Sequence, residues 1–364
     1  MGVGFNVIAL DENYEIVSLL RYTNLQWNRK YFEPGTFSLE IPLEQYNSSY
    51  RYIYTKDRPE MGKITQVNYV DQGAYRAIYL SGYFLENELN RRIVYRKGNT
   101  NIVNAPSWVT ATGKAEDVAF NFFNAFKNVA LENGSQCILD IEAGVNQSRG
   151  KNANHERCGE KLGSKIYHIL QASKMSYRVS YDFESSRKVF SVWSGYDRTQ
   201  EQTKNNPVIF STRYGNIKKP NVLMDSTNYK SGCIVDNESD ENVFSRAVLD
   251  SEALAYDEQG SFIYLKSVLN QKDYTNDNVF FHALDTEGRA ELSNYVKTVN
   301  VEFDAMEGSY EYRIDFDLGD ICSIEIPEVD ISADAVLIGC YEVIKKGTWS
   351  LTLEFGTPIL RNRR

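Results

Sequence analysis

Two-residue alternation bounded by chain breakers constrains this chain most. After Pro34-Gly35, the residues Phe37, Leu39 and Ile41 alternate with Ser38 and Glu40 as far as Pro42. Just upstream, Leu25 and Trp27 share one face, with Asn24, Gln26 and Asn28 on the other. Near the far end, Trp349, Leu351, Leu353 and Phe355 oppose Thr348, Ser350, Thr352 and Glu354. A period of two places the apolar set on one face of a pleated strand, and Pro or Gly at the ends fixes where that strand starts and stops. Both ends of the chain are therefore expected to be β structure. Aromatic residues are 13% of the chain, a composition that suits half-buried strands.

Further strands are expected at Val3 to Leu10 and Tyr14 to Leu20, about the turn Asp11-Glu12-Asn13. A hairpin of Lys63 to Val70 and Tyr75 to Tyr83 is expected around Asp71-Gln72-Gly73. Many short strands with turns between them fit a small barrel or sandwich. The texture changes near Ala105-Pro106. Ala115, Val118, Ala119, Phe122, Phe126 and Val129 recur at helical spacing until Asn133-Gly134, and Leu162, Ile166, Ile169 and Leu170 form a second stripe. The runs Tyr177 to Phe183 and Lys188 to Trp193 follow, so this middle region is an α+β insert.

Beyond Asn205-Asn206-Pro207 strands resume. Asp236 to Glu241 is expected to be an acidic loop, Phe262 to Leu269 a strand, and Val279 to Tyr295 a broken helical stripe that Gly288 weakens. Thr298 to Phe303 alternates, Cys322, Ile324 and Ile326 share a face, and Gly347 marks the turn after the strand Tyr341 to Ile344. At 364 residues, two to four packed units are expected.

The net charge of −9 argues against a basic face built to grip phosphates. No run approaches the roughly 20 apolar residues of a membrane span. The N-terminus has no basic region of a signal peptide, and Asn6 stands where a myristoylation motif needs Ser or Thr. Cys137, Cys158, Cys233, Cys322 and Cys340 are odd in number and form no CxxC, and are expected to be reduced thiols.

Chemical motifs are incomplete. His155-Glu156 begins like HExxH, but residue 159 is Gly; His155, Cys158 and Cys137 fall short of the about four ligands a zinc site needs. His168 and His282 are isolated. Asp236, Glu238 and Asp240 alternate like calcium ligands, but Glu241 and Ala247 occupy the positions an EF-hand gives to Gly and Glu. Asp315, Asp317 and Asp320 form a carboxylate cluster that suits a glycosidase acid/base pair or, alternatively, a turn with Gly319 supplying backbone freedom. Neither metal nor organic cofactor is expected, and the aromatic-rich acidic chain reads as an interaction or structural component.

Three ordered stretches carry a resemblance. Arg21-Tyr22-Thr23-Asn24-Leu25-Gln26-Trp27 and Tyr31-Phe32-Glu33-Pro34-Gly35-Thr36-Phe37-Ser38-Leu39-Glu40-Ile41-Pro42 form the first. Gly195-Tyr196-Asp197-Arg198-Thr199 with Gln202 and Asn206-Pro207-Val208-Ile209-Phe210-Ser211 form the second. Asp315-Phe316-Asp317-Leu318-Gly319-Asp320, with Leu353-Glu354-Phe355-Gly356 closing the same region, form the third. The set resembles the baseplate-hub or tail-tip hub proteins of siphophages and prophages, including the N-terminal hub part of tail-associated lysins.

The resemblance implies a structural, non-enzymatic virion protein: a homotrimeric ring at the tail tip, made in the host cytoplasm. DNA passes through the ring without specific binding. Its partners would be distal-tail, tail-tube or tape-measure proteins, and it would carry no membrane anchor. It implies a β-rich α+β multidomain fold. The expected parts are a first β-barrel-like domain at 1–98, an α+β domain at 99–204, a second barrel-like domain at 205–240 plus 300–364, and a small α+β bracing domain at 241–299. The lytic half that many tail-associated lysins carry is expected to be absent or to reside on another polypeptide. Trp27, Pro34, Gly35, Phe37, Gly195, Asp197, Arg198, Thr199, Asp317, Leu318, Gly319 and Asp320 are the implied structural signature. Asp197 and Arg198 would form a charge pair or a surface turn. Two alternatives stay open: a peptidoglycan hydrolase using carboxylates near Asp317, and a host-surface glycan-binding module.

Overall fold

The computed structural model describes residues 5–73, 75–95, 101–108, 110–157, 159–237, 244–249, 260–267, 269–292, 295–306 and 308–360. The chain divides into two compact units, Met1–Asn221 with Val301–Arg364, and Val222–Asn300. Both are β-rich with helices added, the expected fold class.

The first unit is organised by one ladder between residues that are far apart in the chain. Asn24–Lys30 pairs antiparallel with Ile331–Lys345, setting Leu25 opposite Ile344, Trp27 opposite Glu342 and Arg29 opposite Cys340. On one side of this ladder the sheet continues through Thr36–Pro42, Arg76–Phe84, Met61–Asp71, Tyr52–Thr55, Val7–Leu10 and Ile16–Leu20. On the other lies Thr348–Leu360, joined to Ile331–Lys345 through a two-residue turn at Lys346 and Gly347, both at positive φ (50° and 77°). The barrel-like ends are thus layers of one continuous sheet, and among the described residues no ladder closes into a barrel.

The alternating residues point where their period requires. Leu25, Trp27, Phe37, Leu39 and Ile41 are buried, and Trp27 packs against Phe84 with ring centroids 4.7 Å apart. Each such aromatic or branched side chain contributes roughly 1.5–3 kcal/mol of burial. Ile321–Ile326 extends the C-terminal layer, pairing antiparallel with Ile331–Lys345 and parallel with Asp197–Arg198 and Ile209–Ser211.

The α+β insert packs helix α1 (Ala115–Phe126) and helix α2 (Leu162–Gln171) with the hairpin Ser176–Asp182/Arg187–Trp193. Phe123 stacks on Phe190 at 4.3 Å in their shared core. α1 ends before the expected Asn133-Gly134 stop. Lys127 N–H closes its last turn on Phe123 O, and Asn128 is then diverted to accept from Leu139 N–H and Asn104 Nδ2. Val129 belongs to the short strand Val129–Ala130.

In the second unit, Gly232–Asn237 pairs antiparallel with Ser245–Leu249 and parallel with Phe262–Ser267. Asp236 is therefore in a strand, accepting from Tyr264 Oη, and not in a loop; 238–241 lie outside the described residues. Helix α3 (Asp277–Leu292) runs unbroken through Gly288. A Cβ there would stand 2.7 Å from Val235 Cγ2 and 2.9 Å from Val248 Cγ2, so the glycine lets helix and sheet approach and does not interrupt the helix. No helix among the described residues is long and apolar enough to cross a membrane.

Candidate functional site

The three signature stretches meet at one junction in the first unit. Gly195 lies against the 319–320 peptide so closely that a Cβ would fall 2.1 Å from Gly319 C and 2.3 Å from Asp320 N. Around that contact Asp320, 2% exposed, gathers donors. Tyr196 N–H donates to its Oδ1 at 2.7 Å, and Arg198 Nε and Asp317 N–H donate to its Oδ2 at 2.6 and 3.0 Å. Ile321 N–H returns a bond to Tyr196 O. Arg198 thus pairs with Asp320 and not with Asp197. Asp197 instead accepts from Thr199 N–H at 3.0 Å and receives Asn205 Nδ2 on its carbonyl, as a turn residue does.

Arg29 ties the first stretch to the third. It is the next inward position after Leu25 and Trp27, and is 1% exposed. Its Nε donates to Glu60 Oε1 at 2.7 Å, and its Nη1 to Asp317 Oδ1 at 2.5 Å and Tyr312 Oη at 2.7 Å. Leu318 N–H completes the Asp317 shell at 2.7 Å. Burial raises the Asp317 carboxyl, but the charge and hydrogen bond of Arg29 outweigh it and hold the group below the ordinary carboxylate range. A second buried pair, Arg58 with Glu342 at 2.5 Å, braces the same ladder.

Glycine serves two different needs here. Gly319 has φ +87° and lies against the Tyr31 ring, where a Cβ would meet Cε2 at 2.5 Å. Gly35 has no such dihedral. It is small because a Cβ would meet Asn28 O at 2.5 Å and the Phe84 ring at 2.4 Å, with half-buried Pro34 before it and Phe37 two residues on. Tyr31 is itself fixed: its N–H donates to Ile338 O, its Oη to Lys174 O, and its carbonyl accepts Ser176 Oγ.

This geometry suits structure better than acid/base chemistry. A glycosidase pair needs one carboxyl kept protonated. Asp317 and Asp320 are both ion-paired, and Asp315 accepts Glu311 N–H. Among the described residues, Glu86 is the carboxyl pushed up, to about 7, chiefly by burial. It lines a void of only about 20 Å³, room for a water and not for a sugar.

Nor do the sequence-level ligand candidates assemble. Among the described residues no group of three or more His, Cys, Asp or Glu could hold a metal. Cys137 is exposed, Cys233, Cys322 and Cys340 are buried free thiols, and Cys158 lies outside the described residues. His168 Nδ1 contacts Glu160 at 3.1 Å, and His282 is exposed on α3. His155 sits in the strand Asn152–Glu156, where burial, aided by Lys165, pushes its pKa down to about 4. A base depressed on folding contributes stability above its unfolded value, about 6.5, that is lost as pH falls toward 4. An NMR titration is expected to give a His155 ring midpoint near 4; a midpoint near 6.5 would refute the half-buried, uncharged assignment.

Residues 7–357 match the family model described as Siphovirus ReqiPepy6 Gp37-like protein. No curated protein matches. The fold is similar to a tail protein from Neisseria meningitidis MC58 at 13% identity and TM-score 0.59, covering 98% of this chain and 97% of that one. It is also similar to the 43 kDa tail protein of prophage MuSo2 from Shewanella oneidensis at 9% identity and TM-score 0.56, covering 96% and 97%.

Proposed function

The chain belongs to the Siphovirus ReqiPepy6 Gp37-like family of siphovirus tail proteins, and from that membership we propose that it is the structural hub of a tail tip or baseplate. Three copies close a ring that ends or extends the tail tube in the virion, and DNA passes through it. Distal-tail, tail-tube or tape-measure proteins are its neighbours. The observation that carries this reading is the junction itself. There Arg29 with Asp317 and Arg198 with Asp320 tie the first and second stretches to the third. A subunit bearing load in a ring needs such a frame, and soluble oligomers typically close with cyclic symmetry.

The four-part division into 1–98, 99–204, 205–240 with 300–364, and 241–299 belongs to the same proposal. The net charge of −9 supports a neutral or acidic lumen, because phosphate contacts would retard a passing genome.

Light scattering at high concentration, or on assembled tails, is expected to give a particle of about 125 kDa, three chains of 41.7 kDa, with cyclic symmetry. A chain that stays monomeric even when docked on tail tubes, or measurable duplex binding at physiological salt, would overturn the hub reading. Loss of cell-wall turbidity that Asp317→Asn abolishes would replace it with the hydrolase. Glycan binding that depends on exposed Tyr69 or Tyr83 would replace it with a surface-binding module.

A further inference from the structure

A cleft of about 490 Å³ opens on the junction, walled in part by Arg178, Trp193, Tyr196, Arg198, Arg313 and Asp317. Its charge is opposite to that of the chain as a whole, which is −9. The wall's two carboxylates, Asp317 and Asp320, are already matched by Arg29 and Arg198. Among the described residues, Arg178 and Arg313 have no carboxylate within ion-pair distance, and the three arginines of the wall exceed its two carboxylates by one charge.

Two more observations point to a missing acceptor. The Arg178 guanidinium carbon lies over the Trp193 ring, 4.1 Å from its centroid, a contact that restrains the side chain at the cleft wall. Arg313 Nε and Trp193 Nε1 are buried without a hydrogen-bond acceptor. Unsatisfied buried donors are uncommon in folded proteins, and two in one wall mark a place where the chain supplies too few acceptors for its donors.

We propose that this cleft binds carboxylates on an acidic polypeptide segment of a neighbouring tail chain, with Arg178 and Arg313 as the residues that hold them. A guanidinium donates two parallel hydrogen bonds to a carboxylate, which gives orientation as well as attraction. Charge complementarity favours a polypeptide over nucleic acid. Duplex phosphates need a row of cations along the backbone, whereas here two lie in one concave pocket on an acidic protein. The proposal rests on the reading of the chain as a tail component, and it supplies that reading with a docking point.

The test titrates the full chain with a tetra-glutamate peptide, following heat and tryptophan emission, with tetra-glutamine, inorganic phosphate and a short DNA duplex as comparison probes. Saturable binding of tetra-glutamate and none of tetra-glutamine are expected. R178Q and R313Q should each weaken binding about tenfold, the scale of one charge-assisted contact, and the double variant should abolish it. R313Q is expected to melt as the parent does, since it breaks no ion pair, and it carries the test if R178Q folds poorly. Equal binding by the double variant overturns the proposal. So does phosphate binding as tight as the peptide's, which marks a free-anion site, and so does preferential duplex binding. A monomeric chain that binds the peptide would sink the ring and keep the cleft; a ring that ignores the peptide would do the reverse.

Discussion

Arg29→Met is expected to cost about 3–5 kcal/mol of stability, the range for removing one partner of a buried ion pair and leaving the others uncompensated. The side chain is 1% exposed, and its loss strands Glu60, Asp317 and the Tyr312 hydroxyl together. Methionine keeps much of the volume, so the loss reports charge and not a cavity. Asp317→Asn should cost less, because Arg29 keeps Glu60, and the double variant should cost less than the sum of the two. The pH dependence has a definite sign. In the parent, the Asp317 carboxyl is depressed, so its contribution is present above the unfolded value of about 3.9 and is lost as pH falls through the folded one. Without Arg29, burial is opposed only by the smaller effects of the Leu318 N–H bond and the Arg313 charge, so the group moves up. The gap between parent and variant should therefore narrow as pH falls through about 4. Denaturant melts at several pH values check this. A loss below about 1 kcal/mol, or a gap that ignores pH, would show that Arg29 is not the tie between the first and third stretches.

How much of this was legible in the sequence depends on whether a feature is local. The strands at Asn24–Lys30, Thr36–Pro42 and Thr348–Leu360 follow from alternation and breakers, and α2 from its apolar stripe. Ladders between distant segments leave no such trace. Nothing in the residues alone pairs Asn24–Lys30 with Ile331–Lys345, or Thr110–Lys114 with Asn152–Glu156. Single residues misled where packing overrode propensity, as Gly288 does inside α3. In the site, the resemblance named Asp317, Asp320, Arg198 and Gly195, yet Arg29 and Glu342 were missed. A signal was available for both. Arg29 is in phase with Leu25 and Trp27, and Glu342 with Cys340 and Ile344, so each places a charge on the buried face of an otherwise apolar series. A charge in phase with a core asks for a partner of opposite sign. Period alone does not say that the partners are Asp317 and Glu60, or Arg58, because those come from other layers.

Gly195→Ala should be more damaging than its one added methyl suggests. The new Cβ would overlap Gly319 C at 2.1 Å, its O at 2.2 Å and Asp320 N at 2.3 Å, all backbone atoms that no rotamer change can move. Relief requires the 195–199 and 317–320 segments to part. The second is held from its far side, because Gly319 N–H donates to Leu337 O and Leu337 N–H to Asp320 O, both at 2.8 Å. Parting therefore strains the C-terminal layer or breaks the Tyr196 and Arg198 bonds to Asp320. Overpacking against yielding side chains costs about 1–3 kcal/mol, and against this fixed backbone the loss should reach about 3 kcal/mol or more. Gly73→Ala is the control. Gly73 has φ +76° but open space around its Cβ position, so only the left-handed penalty of about 1 kcal/mol applies. Equal losses at the two positions would mean that dihedral preference, and not the contact between the second and third stretches, sets the requirement for glycine. A larger loss at Gly195, with the double variant Gly195→Ala/Asp320→Asn falling short of additivity, would place the contact and the Asp320 shell in one cooperative joint.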